Sequence, residues 1–475
     1  MSRFTVAGGF CRTRESVNFE VKSARGGVPR NMWETYSSFA NTDGGTIVLG
    51  ISETGEGLRV DGVPDPDEKV RSIWNTLNDR EKVSANILTM DDVRVETFEG
   101  KEVIVIDVPR AGRADRPVYI DGNPRNSYRR NGDGDYKCDL GAIASMISDA
   151  RPGVTDGWVP DGAEISDLSA ESVRAFRNSM ASVRPGHVWL GLDDSEFLRV
   201  IGAARIVDGE LRPTAAGLLM FGYEYQISSE LPGYCLDYRE YDAGGDEWTY
   251  RLLSSTGDWS GNVYDFYTMM ANRIRVRTGR RLEIGPDMRR VDDSALDKII
   301  REAVLNSLVH ADYGGRGGVT VDLRPEMVRA SNPGTFRIPV EDAVRGGLSD
   351  PRNRTLAKMF TLVGDAERAG SGVHRMMTLS RSIGAPDPVI REAFDPERVT
   401  VQVFLRPGSS GEMDIERLIV GMLSEDPTVS ITSMSETLGV SRSKVERAVG
   451  VLKENGTVSR MGGTRGRWVL YPRDD

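Results

Sequence analysis

Arg301-Glu302-Ala303-Val304-Leu305-Asn306-Ser307-Leu308-Val309-His310-Ala311-Asp312-Tyr313 carries two patterns at once. Leu296, Ile300, Ala303, Val304, Ser307 and Leu308 recur at three- and four-residue steps, which predicts an amphipathic helix with one apolar face. Glu302, Asn306 and His310 are each four residues apart. At about 100° per residue they form one polar stripe beside that face. A carboxylate, an amide and an imidazole so aligned can hold a hydrated divalent cation and orient a water. The same stripe also suits an ordinary solvated helix face.

The segments after this helix narrow the choice. Gly317–Leu323 and Met327–Ala330 read as a hairpin turned at Arg324-Pro325-Glu326, ending in Ser331-Asn332-Pro333-Gly334. Later, Glu367-Arg-Ala-Gly370-Ser371-Gly372-Val-His-Arg-Met376 reads as a glycine loop feeding a helix. Free N–H groups and the helix dipole at such a place favour phosphate. Helix stripe, hairpin and glycine loop, in this order over roughly 290–405, resemble the GHKL (Bergerat-fold) ATP-binding domain in the divergent form found beside Schlafen-type AlbA domains. The resemblance implies ATP and Mg²⁺ as cofactors. Asn306 would be the metal ligand and Glu302 the base for a hydrolytic water. His310, Asn332, Gly334, Gly370, Ser371 and Gly372 would line the nucleotide. One departure stands out: the family places an Asp where this chain has Asn332-Pro333-Gly334. An Asn can still accept through its carbonyl oxygen, while the proline stiffens the loop.

At 475 residues, with 39% hydrophobic and 28% charged, the chain reads as a multidomain globular protein. Its start has no apolar leader run, and no stretch is long and apolar enough to span a membrane. A cytoplasmic protein is expected, with Cys11, Cys138 and Cys235 as free thiols. The net charge of −10 argues against a uniformly basic coat but leaves room for local basic surfaces.

The N-terminal unit, 12–138, is mixed α and β. Arg14–Lys22 alternates like a strand, Met32–Ala40 suits a helix, and Gly44-Gly45 turns into the apolar strand Ile47–Leu49. Glu15-Ser-x-x-x-Glu20-x-Lys22, then Ser38-Phe-Ala-Asn-Thr-Asp-Gly-Gly-Thr-Ile-Val-Leu-Gly-Ile51, then Tyr128-Arg129-Arg130 resemble the Schlafen-type AlbA domain. That family includes nucleic-acid-binding modules and metal-dependent RNA-cleaving enzymes. In the latter reading Glu15 and Glu20 would hold Mg²⁺ or Mn²⁺, with Glu53 after Ser52 at the third place. The plainer reading makes Glu20 and Lys22 a surface pair. Arg110, Arg113, Arg116, Arg125, Arg129 and Arg130, with Tyr119 and Tyr128 interleaved, form an arginine-rich span that suits nucleic acid or a solvated loop.

A Gly-, Pro- and Asp-rich loop at 151–162 marks a boundary, and a middle α/β region is expected over 163–290. After the linker that follows Leu405, the unit at 412–473 reads as three helices and a hairpin, a winged helix-turn-helix. From Thr437 to Arg473 eight Lys or Arg face only Glu446 and Glu454, a local +6 that leaves −16 on the rest. Ser441, Arg442, Ser443, Lys444 and Arg447 would enter the major groove, and Arg465 and Arg467 on the wing would take phosphates.

The expected fold class is therefore α/β (α+β) multidomain. It comprises an AlbA/Schlafen-type α+β domain, a GHKL-like α/β sandwich at 291–405 and the C-terminal winged helix. The expected function is a nucleotide-responsive, nucleic-acid-binding transcriptional regulator. Duplex DNA is the foremost partner and RNA a second, with homodimerisation because one winged helix reads one half-site. The alternative is a metal-dependent RNA/DNA endonuclease gated by ATP.

Overall fold

A computed structural model describes residues 17–54, 57–151, 156–243, 245, 247–277, 295–365, 372–405, 419–420, 422–423, 429–438, 442–454, 458–461 and 467–470. The N-terminal unit is built on a four-stranded sheet. Its strands are β1 (Phe19–Lys22), β2 (Gly45–Leu49), β5 (Val93–Phe98) and β6 (Lys101–Val108), in the order β1-β2-β6-β5. β1 runs parallel to β2, and the other pairs are antiparallel. Helices α1 (Met32–Asn41) and α2 (Pro66–Leu77) cover one face, where Met32, Phe39, Ile47, Leu49, Ile73 and Ile106 share a core. The hairpin of β3 (Ile51–Thr54) and β4 (Gly57–Val60) closes the other face over Val21, Val48 and Val105. A second hairpin, β7 (Tyr128–Asn131) and β8 (Gly134–Lys137), lies along α1. Buried Asn41 ties it down: its amide donates to the Val118 and Tyr128 carbonyls and accepts from the Val118 N–H.

Helix α3 (Leu140–Ala150), N-capped by Asp139, leads into the central unit. There α4 (Ala170–Val183) is capped by Ser169, whose hydroxyl accepts from the Ser172 N–H, and α5 (Asp194–Ile201) follows. The hairpin β9 (Ala204–Val207) and β10 (Glu210–Pro213) precedes α6 (Ala215–Phe221), α7 (Glu224–Glu230) and the strands β11 (Leu236–Tyr241) and β12 (Trp248–Leu253). Then come α8 (Val263–Arg277), α9 (Ala295–Val309), β13 (Val319–Leu323) and β14 (Met327–Pro333). Last are α10 (Val340–Arg345), α11 (Arg354–Leu362), α12 (Gly372–Ser382), β15 (Val389–Phe394) and β16 (Glu397–Phe404).

The sheet corrects the boundary expected at 290. β11 and β12 join the later strands in one sheet, β12-β11-β13-β14-β16-β15, with β11 parallel to β13. One apolar cluster runs from Ala163 to Val403. The middle region cannot be a separate domain, because Leu236 and Tyr238 bury their side chains in the same core as α8, α9 and the neighbouring strands.

The C-terminal unit holds α13 (Ile431–Leu438), α14 (Arg442–Glu454) and the hairpin β17 (Val458–Met461) and β18 (Arg467–Leu470). Ile419, Leu423, Met434, Val449, Leu452 and Trp468 form its core, and Trp468 Nε1 donates to the Val429 carbonyl at 3.0 Å. Among the described residues no helix is long and apolar enough to cross a membrane.

Candidate functional site

Helix α9 turns its apolar stripe, Ile300, Ala303, Val304 and Leu308, into the central core, as the spacing predicts. Glu302, Asn306 and His310 thereby line a cleft of about 330 Å³ between α9, α12 and the sheet. Asn306 Nδ2 lies 3.3 Å from Glu302 Oε1. Gly372 opens α12 directly against this pair: a Cβ there would stand 2.3 Å from Glu302 Oε1 and 3.0 Å from Asn306 Nδ2. A side chain at 372 would push the Glu302 carboxylate and the Asn306 amide out of place. The result is a cradle of one carboxylate, one amide and main chain at a helix start.

Asn332, on β14, also lines the cleft. Its Nδ2 donates to the Pro333 carbonyl at 2.9 Å, which leaves Oδ1 with no donor among the described residues. Ile338, Ala343, Leu348, Val373, Met376 and Val401 make the remaining wall apolar, a slot suited to a flat ring. The imidazole of His310 is set into this wall. Desolvation first, and the guanidiniums of Arg352 and Arg337 second, push its pKa down from 6.5 to about 4. It is therefore neutral near pH 7, a hydrogen-bonding group rather than a cation. Gly334 (φ +99°) sits beside Arg352, whose Nη1 would lie 2.4 Å from a Cβ there.

The cleft's outer wall is held by Arg110, Arg113 and Arg116, which the sequence offered as a basic surface, and by Asp149, Arg337, Asp350, Arg352 and Glu392, which no local spacing marks. Asp149, at the end of α3, accepts from Arg337 Nε (3.2 Å) and Arg352 Nε (3.0 Å). Arg352 Nη1 in turn donates to the His310 carbonyl at 2.7 Å. Arg113 pairs with Asp350, and Arg110 with Glu392 (2.9 Å from Nη2) and the Phe336 carbonyl (3.2 Å). Arg116 donates to the same carbonyl at 3.3 Å. Its Nε and Nη1 are buried without a partner, and burial lowers its pKa from 12.5 to about 10.

This wall corrects the expectation of an open arginine surface on the N-terminal unit. Arg129 is 7% exposed, donating to Glu397 and to the Phe394 carbonyl (3.2 Å). Arg130 is 4% exposed and is held by Glu20 Oε2 (2.8 Å) and Asp135 Oδ1 (3.0 Å). Arg125 alone of the three faces solvent. The carboxylate set is corrected too. Glu20 is buried, and its two oxygens accept from Arg130 and Lys22, so it is no surface residue. Glu53 is exposed on its hairpin, and Ser52 donates inward to Asp61. Among the described residues no three metal-ligating side chains converge.

On the winged-helix unit Arg442, Ser443 and Arg447 are exposed along one stretch of α14, Arg442 pairing with Glu446 at 2.9 Å. Glu15, Gly370, Ser371, Ser441 and Arg465 lie outside the described residues, as do the side chains of Lys444 and Arg467.

Four family models match successive segments of the chain. Residues 15–139 match the model "Schlafen, AlbA_2". The chain carries a Schlafen AlbA_2 domain. Behind the AlbA_2 domain, residues 144–237 match a domain of unknown function (DUF8451). Residues 317–403 match the HATPase_c_4 model, described as "Putative ATP-dependent DNA helicase recG C-terminal". Residues 414–459 match "Winged helix-turn-helix DNA-binding". Among solved structures, the DIP2311 protein from Corynebacterium diphtheriae is 19% identical. The match covers 96% of this chain and 92% of that one, with a TM-score of 0.43. The N-terminal domain of a RecG-related protein from Nitrosomonas europaea is 30% identical over 27% of this chain and 87% of its own, with a TM-score of 0.22. No curated protein matches. The chain thus joins an AlbA_2 domain, an ATPase-like domain and a winged helix-turn-helix, which supports a nucleic-acid-binding protein.

Proposed function

We propose that this AlbA_2 protein is a nucleotide-responsive regulator of transcription. Its winged helix contacts duplex DNA, and its central cleft takes ATP with Mg²⁺. Asn306 would hold the metal, Glu302 would orient a water, and the start of α12 at Gly372 would face the phosphates. The bound metal supplies charge neutralisation at the phosphates, and the residues themselves supply position. The carrying observation is the shared wall. The segment Thr335–Ile338 that lines the cleft is the one gripped by Arg110, Arg116 and Asp149 of the AlbA_2 side. A ligand that moves this wall changes contacts that fix the AlbA_2 domain, which gives occupancy a route to the rest of the molecule. A single winged helix reads one half-site, so the regulator works as a dimer. The endonuclease alternative is not favoured, since Glu20 is neutralised by two cations of its own domain.

Thermal melting with and without ATP-Mg²⁺ tests the cleft. At 100 times Kd the wild type gains about 2.7 kcal/mol. Asn306→Ala and Gly372→Ala lose that gain, while their melting without ligand stays within about 1 kcal/mol of wild type. Equal ligand-induced shifts in wild type and both variants would remove the cleft as the nucleotide site.

A further inference from the structure

The six-stranded sheet turns one face to the core, and on the other face Arg239, Arg324, Arg329 and Gln402 are partly exposed and Arg391 is exposed. Tyr238, Leu252, Val321, Val328, Ala330 and Val401 belong to the core under α8 and α9. The alternate residues point away, and arginine dominates them. Arg251, Arg239, Asp322, Arg329 and Gln402 stand side by side in register across five strands. Arg391 and Arg398 continue the cationic side on β15 and β16, and Arg324 at the β13–β14 turn folds over the ring of Tyr241 at 4.2 Å. At the far edge Trp248 is 52% exposed, with Arg251 lying 4.9 Å from its ring.

This face carries more guanidiniums than carboxylates, and among the described residues Arg329 reaches only the neutral amide oxygen of Gln402, 3.2 Å from its Nε. Asp237 takes both Arg239 and Arg251. Asp322 sits among Arg239, Arg329 and Arg324, yet its buried Oδ1 has no hydrogen-bond partner. Among the described residues no carboxylate lies within 4.0 Å of Arg324, Arg329, Arg391 or Arg398. Arg398 donates to Ser331 Oγ (3.0 Å) and the Gly318 carbonyl (3.0 Å), so it lends the face charge rather than a free fork. Adjacent like charges on a sheet repel, and these side chains fill no core. A row of phosphates would satisfy them, since guanidinium forks match phosphate oxygens. Width decides which nucleic acid fits. Five strands at about 4.8 Å spacing span about 19 Å, whereas a B-form major groove is about 12 Å wide and admits a helix or a two-stranded ribbon. A broad sheet with an exposed indole suits a single strand, its phosphates on arginine and a base on the ring.

We propose that this outer sheet face is a second nucleic-acid site, one that holds single-stranded nucleic acid. Arg324, Arg329 and Arg391 take phosphates and Trp248 stacks a base. The site uses no residue of the nucleotide cleft or of the winged helix, so variants can test it independently of either.

The test uses the full-length protein with a labelled oligothymidine of about 20 nucleotides, long enough to cross the face, and a duplex of equal length. Inorganic polyphosphate serves as a bare-anion probe. R324E/R329E is expected to weaken the single strand at least about tenfold. It should also flatten the log-affinity against log-salt slope by about 1.4, at about 0.7 for each phosphate no longer neutralised. Its duplex affinity stays within about twofold of wild type. R391E, at an edge strand, shows the same direction with a smaller effect, and W248A weakens the strand several-fold without changing the slope. Melting curves confirm that each variant is folded. The proposal is overturned if the sheet variants keep wild-type strand affinity, or if they lose strand and duplex alike. It also falls if R442E/R447E on the winged helix abolishes strand binding, or if W248A binds the strand normally while polyphosphate binding falls as far as strand binding in R324E/R329E.

Discussion

At the scale of single residues, His310 shows how the cleft sets chemistry by desolvation. In the unfolded chain its imidazole titrates at its ordinary 6.5, whereas in the fold it titrates at about 4. Between those values the unfolded state binds the extra proton, so folding stability rises with pH across that window. The contribution is fully present above 6.5, falls as the pH drops from 6.5 to 4, and amounts to on the order of 3 kcal/mol. His310→Gln has no such proton to lose. Urea titrations at pH 7 and pH 5 are therefore expected to show a smaller pH dependence for the variant than for wild type. Equal pH dependence in the two proteins would mean that the ring is not held neutral by its surroundings. Neutrality matters to the site as well. A cationic imidazole one turn from Asn306 would repel a bound Mg²⁺, whereas a neutral one can donate or accept.

At the scale of elements, α14 carries the clearest separable role. Arg442, Ser443 and Arg447 are exposed on it, and its apolar side, Val445, Val449 and Leu452, is buried against Met434 and Trp468. Reversing Arg442 and Arg447 to Glu therefore leaves the unit folded. It is expected to lower duplex affinity and to reduce the salt slope by about 0.9 for each phosphate that goes unneutralised. An unchanged slope would place the duplex elsewhere. Elements of this kind were legible in the sequence because their periodicity is local. The stripe Glu302, Asn306, His310 follows from helical repeat alone. The illegible features depend on partners remote in the chain. Arg129 and Arg130 read as free cations because Glu397 is 268 positions from the one and Glu20 is 110 from the other. The pairing of Leu236–Glu240 with Val319–Leu323 was hidden likewise, since two segments separated by a helix pair carry no mutual signal. The outer sheet face was invisible for the same reason. Arg239, Arg251 and Arg329 become neighbours only once the strands are aligned.

At the scale of the whole molecule, Asp149 joins the two larger units. It lies on the helix that leaves the AlbA_2 domain, and it grips two arginines of the central unit, one of which holds the His310 carbonyl. Burial alone would raise its pKa, but Arg352 and Arg337 outweigh that and hold it below the ordinary 3.8. Its stabilisation is thus present above that value and is lost as the pH falls further below it. Asp149→Asn leaves two guanidiniums short of a counter-charge, which for a buried pair costs about 3–5 kcal/mol. If this ion pair couples the cleft to the AlbA_2 domain, its removal has a second signature that a purely structural role lacks. Binding free energies are reciprocal: a nucleotide that tightens nucleic-acid binding by some factor is itself bound tighter by the same factor when nucleic acid is present. In wild type the two factors, measured by titrating each ligand with and without the other, should match and exceed one. In Asp149→Asn both should move together towards one, while each ligand alone still binds. A variant that is less stable but keeps the wild-type factor would leave Asp149 as a structural clamp and assign the coupling to Arg110 and Glu392. Those two side chains bind the same wall from its other end, with Arg110 reaching the Phe336 carbonyl and Glu392 the Phe336 N–H.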